Sequence, residues 1–381
     1  MSKPGIYLDN SATTALDGTV LEAMLPYLTD HYGNAGSPHR QGRMARRAID
    51  RAREQVAALI GAEPREIIFT ASGTEANNMA VKGLGSERAG AAVCSTIEHH
   101  SVLHPVEKQA NFSSATNLVP VSSKGTVSPT EARAYLEQSP RMVSVMLANN
   151  ETGAIQEVKE IARAAKERGI PLHSDATQAL GKIPIDVDNL GVTALTLSAH
   201  KVHGPKGVGA LYLRHGEQLA PLVLGGAQEN RQRAGTDNVA GIVGFGQACQ
   251  LASKNVQQFA SLLAPLRDRL EQELLATISD SWINAREAPR LPHLTNIGFA
   301  GVEGEAIMMA LDAKGIAVGT GSACTSGSID PSHVLLAMGQ DHVRAHAGVR
   351  FSLSRHTTTT EIDQVLTELP AIVHRLRTQR P

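Results

Sequence analysis

Lys201 lies among small residues in the stretch SAHKVHGPKGVG, at 198–209, directly after the apolar run ALTLS. The apolar run predicts a buried strand, so Lys201 is expected at a strand end, where α/β proteins place their ligand chemistry. A lysine that carries a carbonyl compound as a Schiff base needs a neutral amine, and a crowded, partly desolvated site favours that form. A lone lysine is usually a solvated surface residue. The residues that accompany Lys201 decide between the two interpretations.

A carboxylate precedes this lysine in a similar setting. The stretch PLHSDATQALGK, at 171–182, predicts a short buried strand that ends at Asp175. A carboxylate there can keep a pyridinium nitrogen protonated by charge pairing, as the cofactor pyridoxal 5'-phosphate requires. Gln178 can donate to the phenolic oxygen of that cofactor. An isolated aspartate before a turn is more often a helix cap, but together with Lys201 it favours the cofactor.

A phosphate site is predicted in REIIFTASGTEANNMAV, at 65–81, which reads as a strand, a tight turn and the start of a helix. Such a turn directs backbone N–H groups and the helix dipole at an anion. Gly73 permits close backbone approach, and the Thr74 hydroxyl adds a donor. Ser72 and Glu75 also fit a capping box, so a purely structural turn is the alternative.

These motifs, in this order, resemble class V, fold-type-I pyridoxal-phosphate enzymes, and within them the cysteine desulfurases of the NifS/IscS kind. The similarity runs nearly end to end. It includes YLDNSATT at 7–14, GN at 33–34, FTASGTEANN at 69–78, IEHHSVL at 97–103, ANNETG at 148–153, RAGT at 233–236, GSACTSGS at 321–328 and VRFSLSR at 349–355. The resemblance implies a large domain with a mostly parallel, helix-covered sheet and a smaller α+β domain.

The resemblance also implies a role for each matching residue. Lys201 would carry the cofactor, Asp175 would hold its ring nitrogen, and His99 would stack on its ring. Its oxygen would be bound by Asn150 and Gln178, and its phosphate by Gly73, Thr74, Ser198 and His200. Thr236 would reach the phosphate in the partner subunit, which makes the protein a homodimer with shared active sites. The carboxylate of the substrate would be bound by Arg350, helped by Asn34.

A second catalytic centre is predicted in VGTGSACTSGSIDPSH, at 318–333, which is rich in Gly and Ser and contains Cys324. A segment so poor in large apolar residues is expected to form a mobile surface loop. Free cysteines are usually small buried hydrophobes, which suits Cys94 and Cys249. The family instead assigns Cys324 the role of a nucleophile that becomes a persulfide. The same resemblance gives His99 a second role, as the group that moves a proton on or off the substrate thiol.

The function that the resemblance implies is removal of sulfur from L-cysteine, with release of L-alanine and transfer of the sulfur to an acceptor protein such as an iron–sulfur scaffold. Two related activities stay open, a selenocysteine lyase and a class V small-amino-acid aminotransferase. A non-enzymatic assembly factor on the same scaffold is disfavoured by the presence of Lys201, Asp175 and Cys324.

The composition excludes several other classes of protein. The chain has 381 residues, 42% of them hydrophobic, and a formal net charge of -1. The nearly neutral charge is not typical of a protein that binds nucleic acid. The sequence contains no apolar run long enough to span a membrane. The N-terminal residues lack the apolar core of a secretory signal, and three widely spaced cysteines suit a reducing compartment, so we expect a cytoplasmic protein. The histidines form no pattern typical of a metal site.

Strand-like runs near residues 66, 92, 117, 143, 171, 194 and 208 alternate with helices or loops, which predicts a parallel sheet. Helical periodicity is seen at 45–60, with Gly61 as its stop, at 258–278 and at 361–377. We therefore expect a large cofactor-binding domain at 15–257. Residues 1–14 and 258–381 are expected to form the smaller domain, with the cysteine loop at 318–333.

Two stretches depart from the usual family pattern. Residues 319–321 are Gly-Thr-Gly where Ser-Ser-Gly is commoner, and GGAQENRQRAGT, at 225–236, differs around Ala227, Asn230 and Arg231. Neither change falls on a predicted cofactor position.

Overall fold

A computed structural model describes residues 5–109, 117–321 and 330–379 of the chain. Its largest sheet has seven strands. They are β2 (Ile67–Thr70), β3 (Ala92–Ser95), β4 (Leu118–Val119), β5 (Met142–Ser144), β6 (Leu172–Asp175), β7 (Ala194–Ser198) and β8 (Gly209–Leu213). Their order is β2-β8-β7-β6-β5-β3-β4. Only β8 runs antiparallel to its neighbours within this sheet, β2 and β7, so the predicted mostly parallel sheet is confirmed.

Helices surround this sheet. Those before residue 200 are α1 (Gly18–Thr29), α2 (Arg40–Ile60), α3 (Gly73–Gly83), α4 (His100–Gln109), α5 (Pro129–Leu136), α6 (Val158–Lys166) and α7 (Val187–Leu190). α2 ends at Gly61 as predicted, because Gly61 adopts the left-handed conformation at φ 69° that glycine tolerates best. Short 3₁₀ turns at Pro64–Glu66, Ala199–Lys201 and Gln228–Arg231 connect other elements.

The N- and C-terminal parts of the chain come together in two further sheets. The elements are β1 (Ile6–Tyr7), β9 (Ser281–Ile283), β10 (Leu294–Phe299), α9 (Gly304–Asp312), β11 (Ile316–Ala317), α10 (His333–Ala337), α11 (His342–His346), β12 (Gly348–Ser352) and α12 (Thr359–Thr378). β1 pairs in parallel with β11, and β10 lies between β12 and β9 with antiparallel pairing. Thr358 and Glu361 form a capping box at the start of α12, where a helix start was expected.

One long helix, α8 (Val239–Thr277), joins the two parts. The sequence predicted its start only near residue 258. The earlier part contains Gly244 and Gly246, which disfavour a helix locally. Close packing explains both glycines. A Cβ at Gly246 would lie 2.6 Å from Ala52 Cα in α2, and one at Gly244 would lie 2.6 Å from Met24 Sδ in α1.

Two large apolar cores meet along α8. Phe245 and Cys249, in its first half, belong to the core around the seven-stranded sheet. Leu263 and Leu270, in its second half, belong to a core that also contains Leu8 and the apolar residues of β10, β12 and α12. We propose the division into 15–257 and the remaining residues on this basis. No helix within the described residues is long and apolar enough to cross a bilayer.

Candidate active site

A cavity of about 370 Å³ opens where the parallel strands of the large sheet end. Asp175 is the last residue of β6, Ser198 is the last of β7, and the turn with Lys201 follows directly. Carboxyl ends of parallel strands meet at one sheet edge, which is where open α/β sheets bind ligands. The cavity is lined by Ser11, Ala12, Ser72, Gly73, Thr74, Asn77, His99, Ser101, Met146, Ala148, Asn150, Asp175, Thr177, Gln178, Ser198, His200, Lys201 and Arg350.

Lys201 is held by the N-terminal segment. Its Nζ donates hydrogen bonds to the backbone carbonyl of Ser11 and, at 2.8 Å, to that of Ala12. Its own carbonyl accepts a hydrogen bond of 2.6 Å from Nζ of Lys182, a buried lysine. Burial, and then the charges of Lys201 and Arg355, lower the pKa of Lys182 to about 7. These contacts fix both the backbone and the amine of Lys201.

Asp175 is only 6% exposed, yet both carboxylate oxygens are bonded. Oδ1 accepts from the Thr177 backbone N–H at 2.8 Å, and Oδ2 accepts from Asn77 Nδ2 at 2.7 Å. Both donors are N–H groups, which point the positive ends of their dipoles at the carboxylate. Asp175 can therefore present a negative charge to a cationic ring nitrogen in the cavity.

His99 lies on the cavity wall just before α4. Its Nδ1 accepts a hydrogen bond of 3.1 Å from the Ser101 backbone N–H and lies 2.7 Å from Ser101 Oγ. Burial lowers the pKa of His99 below its usual value; the Asp175 charge opposes this shift and the Lys201 charge adds to it. The ring is therefore neutral at physiological pH. A neutral ring is less costly to desolvate than an imidazolium when it stacks on an aromatic cofactor.

The start of α3 and the turn after β7 also line the cavity. Ser72 caps α3 by accepting from the Glu75 N–H at 3.1 Å, which leaves the amides of Gly73 and Thr74 without a partner inside their own helix. A Cβ at Gly73 would lie 3.3 Å from both Ser198 Cβ and Thr177 Oγ1. The Gly73 backbone therefore sits close to the strand ends.

His200 lies in the turn after β7 and also lines the cavity. Its Nδ1 lies 3.1 Å from Thr13 Oγ1. Burial, and then the charges of Lys201 and Lys206, lower the pKa of His200 to about 4. The ring is neutral at physiological pH and can offer one N–H and one lone pair.

Arg350, in β12, enters the cavity from the smaller part of the molecule. It is 3% exposed, donates from Nη1 to the Asn150 carbonyl at 2.9 Å and pairs through Nη2 with Asp9 at 2.7 Å. Its Nε is buried and has no hydrogen-bond partner among the described residues. Gly319 makes room for this arginine, since a Cβ there would lie 2.8 Å from Nη2.

Two of the predicted site residues that the structure describes, Asn34 and Thr236, do not line this cavity. Asn34 is exposed in the loop between α1 and α2, where its Oδ1 accepts from the Gly36 N–H at 2.8 Å. Thr236 is exposed just before α8. Cys324 lies outside the described residues. The roles predicted for these three residues stay predictions.

Sequence reasoning gave no role to several residues at the cavity. Ser11 acts through its backbone carbonyl, which accepts from Lys201 and, at 3.0 Å, from Gln178 Nε2, so its side-chain type carried no signal. Asn77 follows Gly73 by four residues on α3, a spacing that places both residues on the same face of the helix and could have indicated that Asn77 lies at the site. Two buried acids also lie nearby, Glu98 and Glu151, and burial raises the pKa of each, that of Glu98 to about 8.

The profile of the aminotransferase class-V family matches residues 6–365. The chain belongs to the class-V aminotransferase family. It is 46% identical to a cysteine desulfurase of Nostoc sp. over 99% of this chain and 94% of that protein. It is 45% identical to the cysteine desulfurase IscS of Dictyoglomus turgidum, over 100% of this chain and 97% of that one. A solved NifS-like protein superimposes with a TM-score of 0.89 at 35% identity, covering 97% of this chain and 100% of that structure.

Enzymes of this family use pyridoxal 5'-phosphate, which is accordingly the cofactor of this chain. The donor set in the cavity fits that molecule. Asp175 suits the ring nitrogen, Lys201 suits the aldehyde, and the free amides at the start of α3 suit the phosphate. The predicted fold-type-I architecture is confirmed by the same comparisons. Among the described residues, no cluster of His, Cys, Asp and Glu has the geometry to hold a metal ion.

Proposed function

We propose that this chain is a pyridoxal-phosphate-dependent cysteine desulfurase that carries the sulfur of L-cysteine as a persulfide on Cys324 and releases L-alanine. The observation that carries the proposal is the position of Arg350 beside the segment that precedes Cys324. Gly319 and Arg350 exchange two backbone hydrogen bonds, of 3.0 and 2.8 Å. The cysteine segment thus begins at the wall that would bind the substrate carboxylate.

Both flanks of that segment support the same placement. Ser332 donates a hydrogen bond to Glu151 Oε2, and a Cβ at Gly321 would lie 2.1 Å from the same oxygen. Glu151 follows Asn150, which lines the cavity. The described residues on both sides of the cysteine segment therefore lie beside the same carboxylate, next to the cavity, which supports a position of Cys324 close to a bound substrate.

The substrate would be oriented by its carboxylate. Arg350 is pre-positioned by Asp9 and by the Asn150 carbonyl, and its buried Nε has a hydrogen to donate. A charged guanidinium in so dry a site binds a carboxylate strongly. This contact favours an α-amino acid and directs its amine toward Lys201.

Bound pyridoxal phosphate supplies an electron sink that makes the Cα–H of the substrate acidic. Asp175 keeps the ring nitrogen protonated, supported by Asn77 and the Thr177 amide. Lys201, once its amine is free, removes the Cα proton, since it is anchored at the strand end that faces the substrate. The Ser11 and Ala12 carbonyls orient that amine.

Sulfur leaves the substrate by attack of the Cys324 thiolate. A bond forms between Cys324 Sγ and the substrate sulfur while the Cβ–S bond breaks, and its electron pair stays on the carbon fragment. Protonation of that fragment completes alanine. The persulfide on Cys324 then passes its outer sulfur to a thiol of an acceptor protein.

We further propose that the acceptor is a protein such as an iron–sulfur scaffold and that the enzyme works in the cytoplasm. A relative that bears the name IscS supports the first point. The second is supported by Cys94 and Cys249, which are free, buried thiols. Thiols persist in a reducing compartment, which a reactive Cys324 also needs.

The test of this function is Cys324→Ala. The variant should keep its fold and its cofactor and bind cysteine, yet release no sulfur, because removal of the Cα proton needs Lys201 while cleavage of the C–S bond needs a nucleophile at sulfur. Mass spectrometry of the wild type after addition of cysteine should find one extra sulfur on the peptide that contains Cys324. Cys94→Ala and Cys249→Ala are the matched controls and should stay active.

A Cys324→Ala variant that makes alanine at the wild-type rate without added thiol would contradict the persulfide mechanism. A selenocysteine lyase would then be favoured if selenocysteine were the better substrate, and an aminotransferase if a keto acid were formed instead of sulfide.

A further inference from the structure

A chain of hydrogen bonds connects Asp175 to His99 along the cavity wall. Asn77 Nδ2 donates to Asp175 Oδ2 at 2.7 Å and to Ser101 Oγ at 2.8 Å. Ser101 Oγ lies 2.7 Å from Nδ1 of His99. Asn77 and Ser101 are 1% and 7% exposed, so water competes little for these contacts. Neither residue belongs to the set predicted from the sequence.

The charge of Asp175 determines the direction of the whole chain. An ionised carboxylate only accepts hydrogen bonds, so Asn77 must turn its NH₂ group toward Asp175. The second hydrogen of that NH₂ group then points to Ser101 Oγ, which accepts it. The hydroxyl hydrogen of Ser101 is left to donate to Nδ1 of His99. Asn77 Oδ1 stays buried without a partner among the described residues, which is the cost of this orientation.

A second hydrogen-bond donor also requires Nδ1 of His99 to be an acceptor. The Ser101 backbone N–H also donates to Nδ1, at 3.1 Å. An amide N–H cannot act as an acceptor, so a hydrogen on Nδ1 would place two donors against each other. The imidazolium form has a hydrogen on both nitrogens and meets the same obstacle. The ring hydrogen of neutral His99 therefore lies on Nε2.

We propose that Ser101 and Asn77 are positioning residues that hold His99 in its Nε2–H tautomer, so that His99 donates a hydrogen bond to the substrate sulfur and does not accept the thiol proton. The part that concerns the substrate rests on the proposed desulfurase function. A thiolate accepts such a bond better than a thiol does. The site therefore favours L-cysteine with an ionised thiol, and kcat/KM should rise as pH approaches the thiol pKa of about 8.5.

Several charged and titratable groups surround His99 among the described residues, including the ring of His100, whose centroid lies 6.3 Å from that of His99. Asp175 of β6 raises its pKa, whereas Lys201 of the turn after β7, His333 of α10 and His104 of α4 lower it. Ser101→Ala removes one of two donors to Nδ1 and changes none of these groups. The protonation constant of His99 should then increase about fivefold, the factor that one neutral hydrogen bond is worth.

The experiment is ¹⁵N NMR of the holoenzyme with ¹⁵N-labelled histidine, with the His99 signals identified by their loss in His99→Gln. Wild type should show Nδ1 without a hydrogen and Nε2 with one throughout the neutral pH range. Ser101→Ala should protonate at higher pH, and Ser101→Thr, which keeps the hydroxyl, should restore the wild-type titration. Asn78→Ala is the matched control, since Nδ2 of Asn78 donates to the backbone carbonyls of Thr74, at 3.0 Å, and Ser101, at 3.3 Å, and not to the Ser101 hydroxyl. Asn78→Ala should leave the His99 titration unchanged.

Two results would overturn the proposal, namely a hydrogen on Nδ1 of His99 in the wild type or a titration of His99 that Ser101→Ala does not change. Because the NMR signals are read without substrate, they remain informative even if the desulfurase function is wrong. If the tautomer is as proposed but kcat/KM does not follow ionisation of the substrate thiol, the role of His99 toward sulfur is refuted.

Discussion

At the scale of single residues, the site depends on contacts between segments that are far apart in the sequence. Lys201 donates to carbonyls 189 and 190 residues away, and Arg350 pairs with Asp9 across 341 residues. Lys201 is held by backbone carbonyls, and Arg350 is held by a backbone carbonyl and an opposite charge. This pre-positioning explains why single substitutions here should separate cofactor binding from substrate binding.

The first prediction concerns the covalent attachment of the cofactor. Borohydride reduction of the wild type should fix pyridoxal phosphate permanently to Lys201, because this amine alone among the described lysines lines the cavity. Peptide mapping by mass spectrometry identifies the labelled residue. Lys201→Ala should take no label, whereas Lys206→Ala, which removes an exposed lysine, should be labelled like the wild type. A label on Lys182 or Lys206 would refute the assignment.

The second prediction concerns the substrate carboxylate. Arg350→Ala should raise KM for cysteine about 10- to 100-fold, because a hydrogen bond to a charged group contributes about 1.5–3 kcal/mol. Cofactor content, measured by absorbance, should change little. Arg344→Ala is the control, since Arg344 stacks on Trp282 at 3.9 Å away from the cavity. A KM unchanged in Arg350→Ala would mean that another residue binds the carboxylate.

At the scale of elements, the turn Gln228–Arg231 is the most strained described segment. Glu229, Asn230 and Arg231 all have positive φ, at 44°, 54° and 67°, a region that L-residues rarely adopt. Buried contacts compensate for this strain. Glu229 forms a bidentate pair with Arg53 at 2.6 and 2.7 Å and accepts from the Phe69 N–H at 2.9 Å. These bonds tie the turn, which leads to Thr236, to β2 and α2.

The third prediction follows from this pair. Glu229→Ala should lower the free energy of unfolding by about 3–5 kcal/mol, because it leaves Arg53 charged and poorly solvated. The matched control is Glu63→Ala, which breaks the exposed pair of Glu63 with Arg65 and should cost at most about 1 kcal/mol. Chemical denaturation of both variants measures these changes in the free energy of unfolding. Equal effects would show that the buried pair does not hold the turn.

At the scale of the whole molecule, large apolar side chains remain exposed beside the strained turn and along α1. Those near the turn are Leu222, Val223 and Leu224, the last of them 81% exposed. Those in or near α1 are Leu21, Leu25, Leu28 and Tyr32. Exposed apolar surface of this extent is typical of interfaces between subunits. Ala234 N–H donates to the Val223 carbonyl at 3.2 Å, so the Leu224 segment lies beside the RAGT stretch.

The fourth prediction tests the homodimer that the family resemblance implies. Leu224→Asp should shift the protein toward monomer in sedimentation velocity and weaken retention of the cofactor, since Thr236 would no longer reach the partner's site. Met309→Asp is the matched control, because Met309 is a comparably exposed apolar residue, at 70%, on α9. It should remain dimeric. A dimeric Leu224→Asp variant would place the interface elsewhere.

Features of this protein that depend on local sequence pattern were predictable without the structure. Apolar runs located the seven strands of the large sheet, and Asp175 and Lys201 were recognisable because each follows such a run. The first half of α8 was not predicted, and its Gly244 and Gly246, which disfavour a helix locally, are accounted for by close packing against Met24 and Ala52. Local propensity cannot anticipate a contact between distant helices.

The hydrogen bonds that position the site residues could be seen only in the tertiary structure. The Ser11 carbonyl, the Asn77 amide and the Ser101 hydroxyl are common groups without any distinctive pattern, and they gain a role only when folding brings them to Lys201, Asp175 and His99. Hydrogen bonds are short-ranged and directional, so their partners depend on positions in space that the order of residues along the chain does not specify. The residue types that perform the chemistry were thus recognisable in the sequence, whereas the orientation and protonation of their side chains depend on the fold.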